Sequence, residues 1–232
     1  MNRTATNIIN LVFILILFLT SAGTIIANKR LTAPALIYLD PGHGGSDGGA
    51  VGADGTTEKD IVLNVCLCLK TYLENAGFQV KMTRAGDYDL APGSSKNRKR
   101  DDIHRRCRMI NASDCLLYLS VHANKFSDKR IRGAQVFYNK NQPGSKVLSE
   151  AIQEAICGIL QNTRRFAKPI NGKYLIENAE KTGCLVEIGF LSNPEELNLL
   201  KDAVYQDRMA YAIFTGILMF LENNENMQAR PG

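Results

Sequence analysis

Histidine is scarce in this chain: 232 residues contain three. No Cys-x-x-Cys pair is present, which argues against a thiolate metal site, and no His-Glu-x-x-His segment, which argues against the helical site of the common metallopeptidases. No internal repeat and no low-complexity linker divides the chain, so there is no case for two folded domains. The formal net charge of +5 is modest. Much of the excess sits in Lys96–Arg100 and in Arg105, Arg106 and Arg108, a stretch that reads as a solvated helix face. It lacks the interleaved aromatics of a nucleic-acid surface, and nucleic acid is not expected as a partner.

Long apolar runs are also missing, with one exception. Asn7 to Ile26 is almost wholly apolar, preceded by Arg3 and followed by Lys29 and Arg30. It is near the ~20 residues that span a bilayer, yet the small residues Ser21, Ala22, Gly23 and Ala27 suit cleavage. Residues 1–30 are therefore expected to be a signal peptide or a signal anchor, and residues 31–224 an exported folded domain, secreted or membrane-anchored. Residues 225–232 are expected to form a disordered tail. Of six cysteines, Cys66 and Cys68 lie two apart on one expected helix and point to different faces, while Cys115 and Cys184 begin apolar strands. They read as small core residues rather than as a disulfide framework.

The periodicity alternates between strand and helix. Ala35–Asp40 reads as a buried strand, and residues 41–57 form a loop with seven glycines. Lys59–Ala76 places Val62, Val65, Leu69 and Leu73 on one helical stripe that ends at Gly77. Strands are expected at Phe78–Thr83, Cys115–Val121, Gly133–Tyr138 and Cys184–Ile188, with a short one at Tyr174–Glu177. Helices are expected at Arg100–Asn111, at Lys146–Leu160, after Asn193-Pro194 and through Met209–Phe220. This alternation predicts an α/β fold, a three-layer α/β/α sandwich on a mostly parallel twisted sheet.

Two of the three histidines leave strand ends. His43 follows the first strand in a glycine-rich loop, and His122 follows Cys115–Val121. In an open α/β sheet the carboxyl ends of parallel strands line one crevice, so these imidazoles can converge there. Glu58, at the junction of loop and helix, and Glu187, inside an apolar strand, fit the same edge. A carboxylate at a helix N-terminus is favoured by the dipole without any metal. Glu187 is harder to explain structurally, because an ionised carboxylate in an apolar strand costs several kcal/mol unless a cation or donor satisfies it. Two imidazoles with a carboxylate can hold a metal that keeps an open position. His104, beside Arg105 in a charged helix, reads as a surface residue.

Taken in order, several segments resemble the signature blocks of the zinc-dependent N-acetylmuramoyl-L-alanine amidases. They are Asp40-Pro41-Gly42-His43-Gly44-Gly45, Glu58-Lys59, Thr83-Arg84, Ser120-Val121-His122-Ala123-Asn124 and Val186–Asn193. The resemblance spans about residues 34–222. Asp89–Gly93, Arg98–Asp102, Asn162–Arg165 and Tyr205–Asp207 resemble the sporulation branch, whose members act on the spore cortex. The resemblance implies one Zn2+ held by His43, Glu58 and His122, with Glu187 as the catalytic carboxylate. Glu187 would take a proton from the attacking water and return it to the departing alanine amine. Glu58 and Glu187 could exchange the roles of ligand and base. Asn124 and Arg84 are candidates for positioning substrate.

Peptidoglycan is the implied partner, cut between N-acetylmuramic acid and L-alanine of the stem peptide. In the cortex, removal of the peptide would precede muramic-δ-lactam formation by a deacetylase acting downstream. No wall-binding repeat is visible, so localisation is expected to come from the N-terminal segment or from a recruiting or activating protein. Two other readings stay open at this stage: a catalytically silent peptidoglycan-binding protein on the same fold, and a zinc peptidase or deacetylase built on the same residues.

Overall fold

The computed structural model describes residues 34–228. The expected signal segment and residues 229–232 lie outside them. Six strands form one sheet: β1 (Leu36–Pro41), β2 (Gln79–Met82), β3 (Leu117–Asn124), β4 (Gln135–Tyr138), β5 (Lys168–Pro169) and β6 (Gly183–Phe190). The spatial order is β2-β1-β3-β6-β4-β5; β1, β2, β3 and β6 are mutually parallel, and β4 runs antiparallel to β6. Only a short helix-free link joins β3 to β4, so there is no crossover helix of the kind that returns a chain parallel. The helices are α1 (Glu58–Asn75), α2 (Arg98–Asn111), α3 (Pro143–Leu160), α4 (Tyr174–Asn178), α5 (Pro194–Lys201) and α6 (Ala203–Gln228).

Alternation of side chains along each strand separates two faces. On one face Ile37, Leu39, Leu117, Leu119, Val121 and Val186 are wholly buried beneath α1, α3, α5 and α6. On the other, Tyr38, Tyr118 and Leu185 pack against Cys107 and Ile110 of α2 and Leu175 and Ile176 of α4. The result is the three-layer α/β/α sandwich that the strand and helix periodicity predicts. The second face changes character toward the carboxyl ends of the parallel strands. Asp40 lies opposite Ser120, and in the next row His122 lies opposite Glu187, which lies opposite Gln135. Residues paired across strands share a face, so the polar groups gather at one edge.

Several expectations need correction. Tyr174–Glu177 is a turn of helix rather than a strand: the Ala179 amide donates to the Leu175 carbonyl, and burial of the adjacent Leu175 and Ile176 against α2 requires helical spacing. The two-residue β5 was not legible, because a Lys-Pro pair on an edge carries no pattern. The tail expected to be disordered continues α6 to Gln228, since no glycine or proline interrupts Asn223–Gln228. His104 is half-buried, not on the open surface; its ring stacks on Tyr174 with centroids 4.2 Å apart. All six cysteines are free thiols.

Where α6 crosses α3 the backbones nearly touch. A Cβ placed on Gly216 would stand 2.4 Å from the Ile152 Cα and 3.0 Å from the Ala151 carbonyl oxygen. Alanine is the better helix former by about 1 kcal/mol, but overpacking against backbone costs roughly 1–3 kcal/mol. Gly216→Ala is expected to lower the urea midpoint of unfolding; a raised midpoint would show that the helices can separate without loss.

Candidate active site

The site is assembled on the loop that leaves β1. Asp40, the last residue on its face before that loop, is fully buried and accepts hydrogen bonds from Thr83 Oγ1 (2.6 Å), Ser120 Oγ (2.6 Å) and Arg106 Nη1 (2.8 Å). Arg106 is only 1% exposed. Its Nε donates to Asp102 at 2.7 Å, and its Nη atoms also donate to the carbonyls of Pro41 (2.6 Å) and His43 (2.5 Å). Arg84 reinforces the same segment, donating to the carbonyls of Pro41, Gly42, Lys59 and Gly86. Two guanidiniums thus fix residues 41–43. The backbone of His43 takes φ 60°, a left-handed conformation that non-glycine residues hold only when surroundings enforce it.

This anchoring delivers three donors to one point. Single ligand atoms of His43, Glu58 and His122 lie within 4.8 Å of one another. His43 Nε2 stands 3.2 Å from Glu58 Oε2, and His122 Nδ1 stands 2.9 Å from Glu58 Oε1. Glu58 is further oriented by the backbone: the Ala50 amide donates to Oε2 at 2.7 Å and the Ala123 amide to Oε1 at 2.9 Å. His43 Nδ1 donates to Asp47 at 2.9 Å, and Asp47 also pairs with Lys99 at 2.9 Å. This leaves the lone pair of Nε2 facing the carboxylate, where two acceptors meet only through a proton or a cation. The donor set of two imidazoles and one carboxylate fits Zn2+. A carboxylate behind a ligating histidine is the usual means of fixing its tautomer. Space is kept for the group by glycine. A Cβ on Gly42 would stand 2.3 Å from the His122 ring, and one on Gly49 would stand 2.5 Å from Glu58 Oε2.

Burial works against charge on Glu58, but hydrogen bonds from His122 and His43 hold its pKa well below the ordinary carboxylate range. Burial likewise works against a charged His43, and Glu58, followed by Asp47, raises it above the ordinary imidazole value. Glu187 is different. Its side chain is buried, Oε2 finds no hydrogen-bond partner among the described residues, and burial pushes its pKa up.

Residues 37–219 match the family model described as N-acetylmuramoyl-L-alanine amidase. The chain belongs to this family. It is 45% identical over 188 residues to the germination-specific N-acetylmuramoyl-L-alanine amidase of Bacillus subtilis, covering 80% of this chain and 79% of that one. Its fold is similar to the CwlD amidase of Clostridioides difficile, solved in complex with the GerS lipoprotein. That match has a TM-score of 0.79 and 36% identity, covering 82% of this chain and 99% of that one. An N-acetylmuramoyl-L-alanine amidase from Clostridium difficile 630 matches with a TM-score of 0.74 and 25% identity, covering 82% and 98%.

In this amidase the structure brings His43, Glu58, His122 and Glu187 to one edge. It gives Arg84 another place: the side chain is 1% exposed and engaged with four carbonyls, so it holds the loop instead of facing a substrate. Asn124 ends β3, its Oδ1 accepting from the Lys125 amide. Arg106 departs from the solvated-face reading; its spacing of four from Asp102 and from Ile110 was the available signal for a buried stripe. Asp47 and Lys99 were also missed: Asp47 lies only four residues after His43 but in an irregular loop without periodicity, and Lys99 is far off in sequence. The stretches shared with the sporulation branch make structural bonds: Arg98 pairs with Asp89 at 2.6 Å, and Asn162 donates to the Tyr205 hydroxyl at 2.6 Å.

Removing the carboxylate behind His43 should loosen its ring. Asp47→Ala is expected to weaken Zn2+ binding roughly 10–100-fold, measured by chelator competition with unchanged circular dichroism; unaltered affinity would show that His43 needs no such support. The buried pair gives an acid signature. Burial pushes the Asp40 carboxyl up, but Arg106, Ser120 and Thr83 outweigh it and leave the folded pKa below the ordinary value. A folded pKa below the unfolded one means that the stabilisation is complete above a pH of about 4 and is lost as pH falls through the folded value. The urea midpoint of the wild type should therefore drop between about pH 4 and pH 2 more steeply than that of Asp40→Asn. Equal slopes would remove Asp40 from the account.

Proposed function

We propose that this amidase is a zinc-dependent hydrolase of the amide between the lactyl group of N-acetylmuramic acid and L-alanine, with His43, Glu58 and His122 holding one Zn2+ and Glu187 as the catalytic carboxylate. The observation that carries the reading is the juxtaposition of three convergent donor atoms with a buried, unpartnered carboxylate in the neighbouring register position. Zn2+ supplies a Lewis acid, which polarises a carbonyl and eases deprotonation of water. The chain's own residues do the rest. Glu187 Oε2, facing no donor, takes a proton from water and delivers it to the departing alanine nitrogen. Asp47 and the Ala50 and Ala123 amides keep the imidazole and the Glu58 carboxylate in one orientation, which limits reorganisation as charge develops. Asn124, at the end of the same strand as His122, remains a candidate for positioning substrate.

The similarity to a germination-specific enzyme supports a role in the spore cortex, where the freed muramic acid would pass to a deacetylase and become muramic-δ-lactam. Because a structural relative was solved in complex with a lipoprotein, a recruiting or activating protein belongs to the proposal. So does an extracytoplasmic location, with residues 1–30 as leader or anchor. No helix of the described residues is long and apolar enough to cross a membrane.

The test is mass spectrometry of peptidoglycan treated with the full chain, with and without Zn2+. A zinc-dependent free amine on the stem-peptide alanine is expected. Glu187→Gln should keep Zn2+ and lose turnover by roughly 10²–10⁴-fold, whereas Glu58→Gln should weaken Zn2+ binding. Loss of metal from Glu187→Gln would reverse the two roles, and no new amine in a zinc-loaded sample would refute the reading.

A further inference from the structure

Beside Glu187 the sheet and the helices α2 and α4 border an open pocket of about 160 Å³. His122, Glu187 and Leu185 form its floor, Ile103 of α2 one wall, and the segment from Gly172 to Ile176 the other. It shares His122 and Glu187 with the candidate centre, so it is the space next to the scissile amide. Its lining is largely apolar, which suits a peptide side chain better than a hydroxyl-bearing sugar, and this places the peptide inside and the glycan outside. The apolar surface of Ile103, Leu175, Ile176 and Leu185 suits the methyl group of the alanine.

One cation stands on this wall. Lys173 is exposed, and among the described residues its ammonium has no carboxylate within ion-pair distance. Its backbone is held: the Glu177 amide donates to the Lys173 carbonyl at 3.0 Å, and the Gly172 amide to Glu177 Oε1 at 2.6 Å. Asn111 and Asn139 side chains donate to the carbonyls of Asn178 and Ile176, and the Tyr174 ring rests on His104. Only the lysine side chain is left to swing. A peptide entering here brings a difficulty, since the residue that follows alanine in the stem carries a carboxylate and approaches the buried Glu187. Like charges at such range oppose binding unless a cation lies between or beside them.

We propose that Lys173 is a specificity residue whose ammonium pairs with the carboxylate of the residue following the scissile alanine, so that the enzyme selects stem peptides bearing a free acid at that position. The proposal rests on the amidase reading of the site and names the side of the substrate that enters the cavity.

Two muramoyl peptides that differ only in whether this carboxylate is free or amidated supply the test, with the zinc-loaded full chain. The wild type should prefer the acid about tenfold in kcat/KM, the scale of one charge-assisted hydrogen bond. Lys173→Met should bring the ratio of acid to amide close to one, and Lys173→Arg should retain most of it. A ratio unchanged in Lys173→Met would overturn the proposal. Turnover of neither substrate by the wild type would overturn the amidase reading itself. The two failures are separated by titrating the sugar-free peptide, as acid and as amide, against each protein. An acid preference in binding that Lys173→Met abolishes supports the lysine's role, and equal affinities in the wild type exclude it.

Discussion

The Asp40–Arg106 pair fixes the geometry on which the site depends. Burying either ion alone costs several kcal/mol, and burying both is tolerated only when the geometry satisfies nearly every donor and acceptor. Here Asp40 accepts three hydrogen bonds, and Arg106 donates four, to two carboxylates and two carbonyls. Those bonds join the ends of β1, β2 and β3 to α2 and seize the backbone on either side of Gly42. A hydrophobic replacement of similar volume would serve stability equally well, but it would not hold the His43 carbonyl. The ion pair gives this corner direction as well as cohesion, and the left-handed His43 depends on that direction.

Why the site can be so polar is answered by the opposite face of the sheet. There the strand residues are apolar throughout and are covered by four helices, so that face carries the bulk of the hydrophobic stabilisation. The thin layer needs only α2 and α4 to cover Tyr38, Tyr118 and Leu185 before it yields to Asp40, Ser120, His122 and Glu187. A sheet buried equally on both faces would have no edge row to spare for ionisable groups. The short α4 and the short link into antiparallel β4 leave that row partly uncovered.

Legibility in the sequence followed the range of the causes. Strand and helix periodicities are local, and the alternation they produce was enough for the layered fold. Three of the four residues that gather at the edge, His43, His122 and Glu187, follow or interrupt an apolar run, a contrast visible within ten residues, and Glu58 marks the junction of a glycine-rich loop with a helix. Arg106 was misread since its neighbours Arg105 and Arg108 are exposed, and only burial distinguishes it from them. Arg84 looked available for substrate because nothing near it in sequence shows the four carbonyls it reaches. Tyr174–Glu177 read as a strand since a five-residue helix is too short to display its period, and packing on α2 decides it.

Glu187, a buried carboxylate with an orphaned oxygen, destabilises the fold, and two changes would have relieved it: a donor opposite Oε2 or an apolar residue in its place. Gln135, its neighbour in register, could have been that donor, yet its amide nitrogen is turned to the Phe166 carbonyl and its oxygen accepts from Arg165. The neighbouring chemistry is thus arranged to leave Glu187 unmatched. Sites of this sort are where local rules fail for functional reasons, and the stability forgone is recovered elsewhere in the molecule. In this chain the recovery lies in the apolar face and in the fully satisfied Asp40–Arg106 corner. Together they keep an unmatched carboxylate in register with His122, at the same sheet edge as His43, which is itself held in a conformation it would not choose alone.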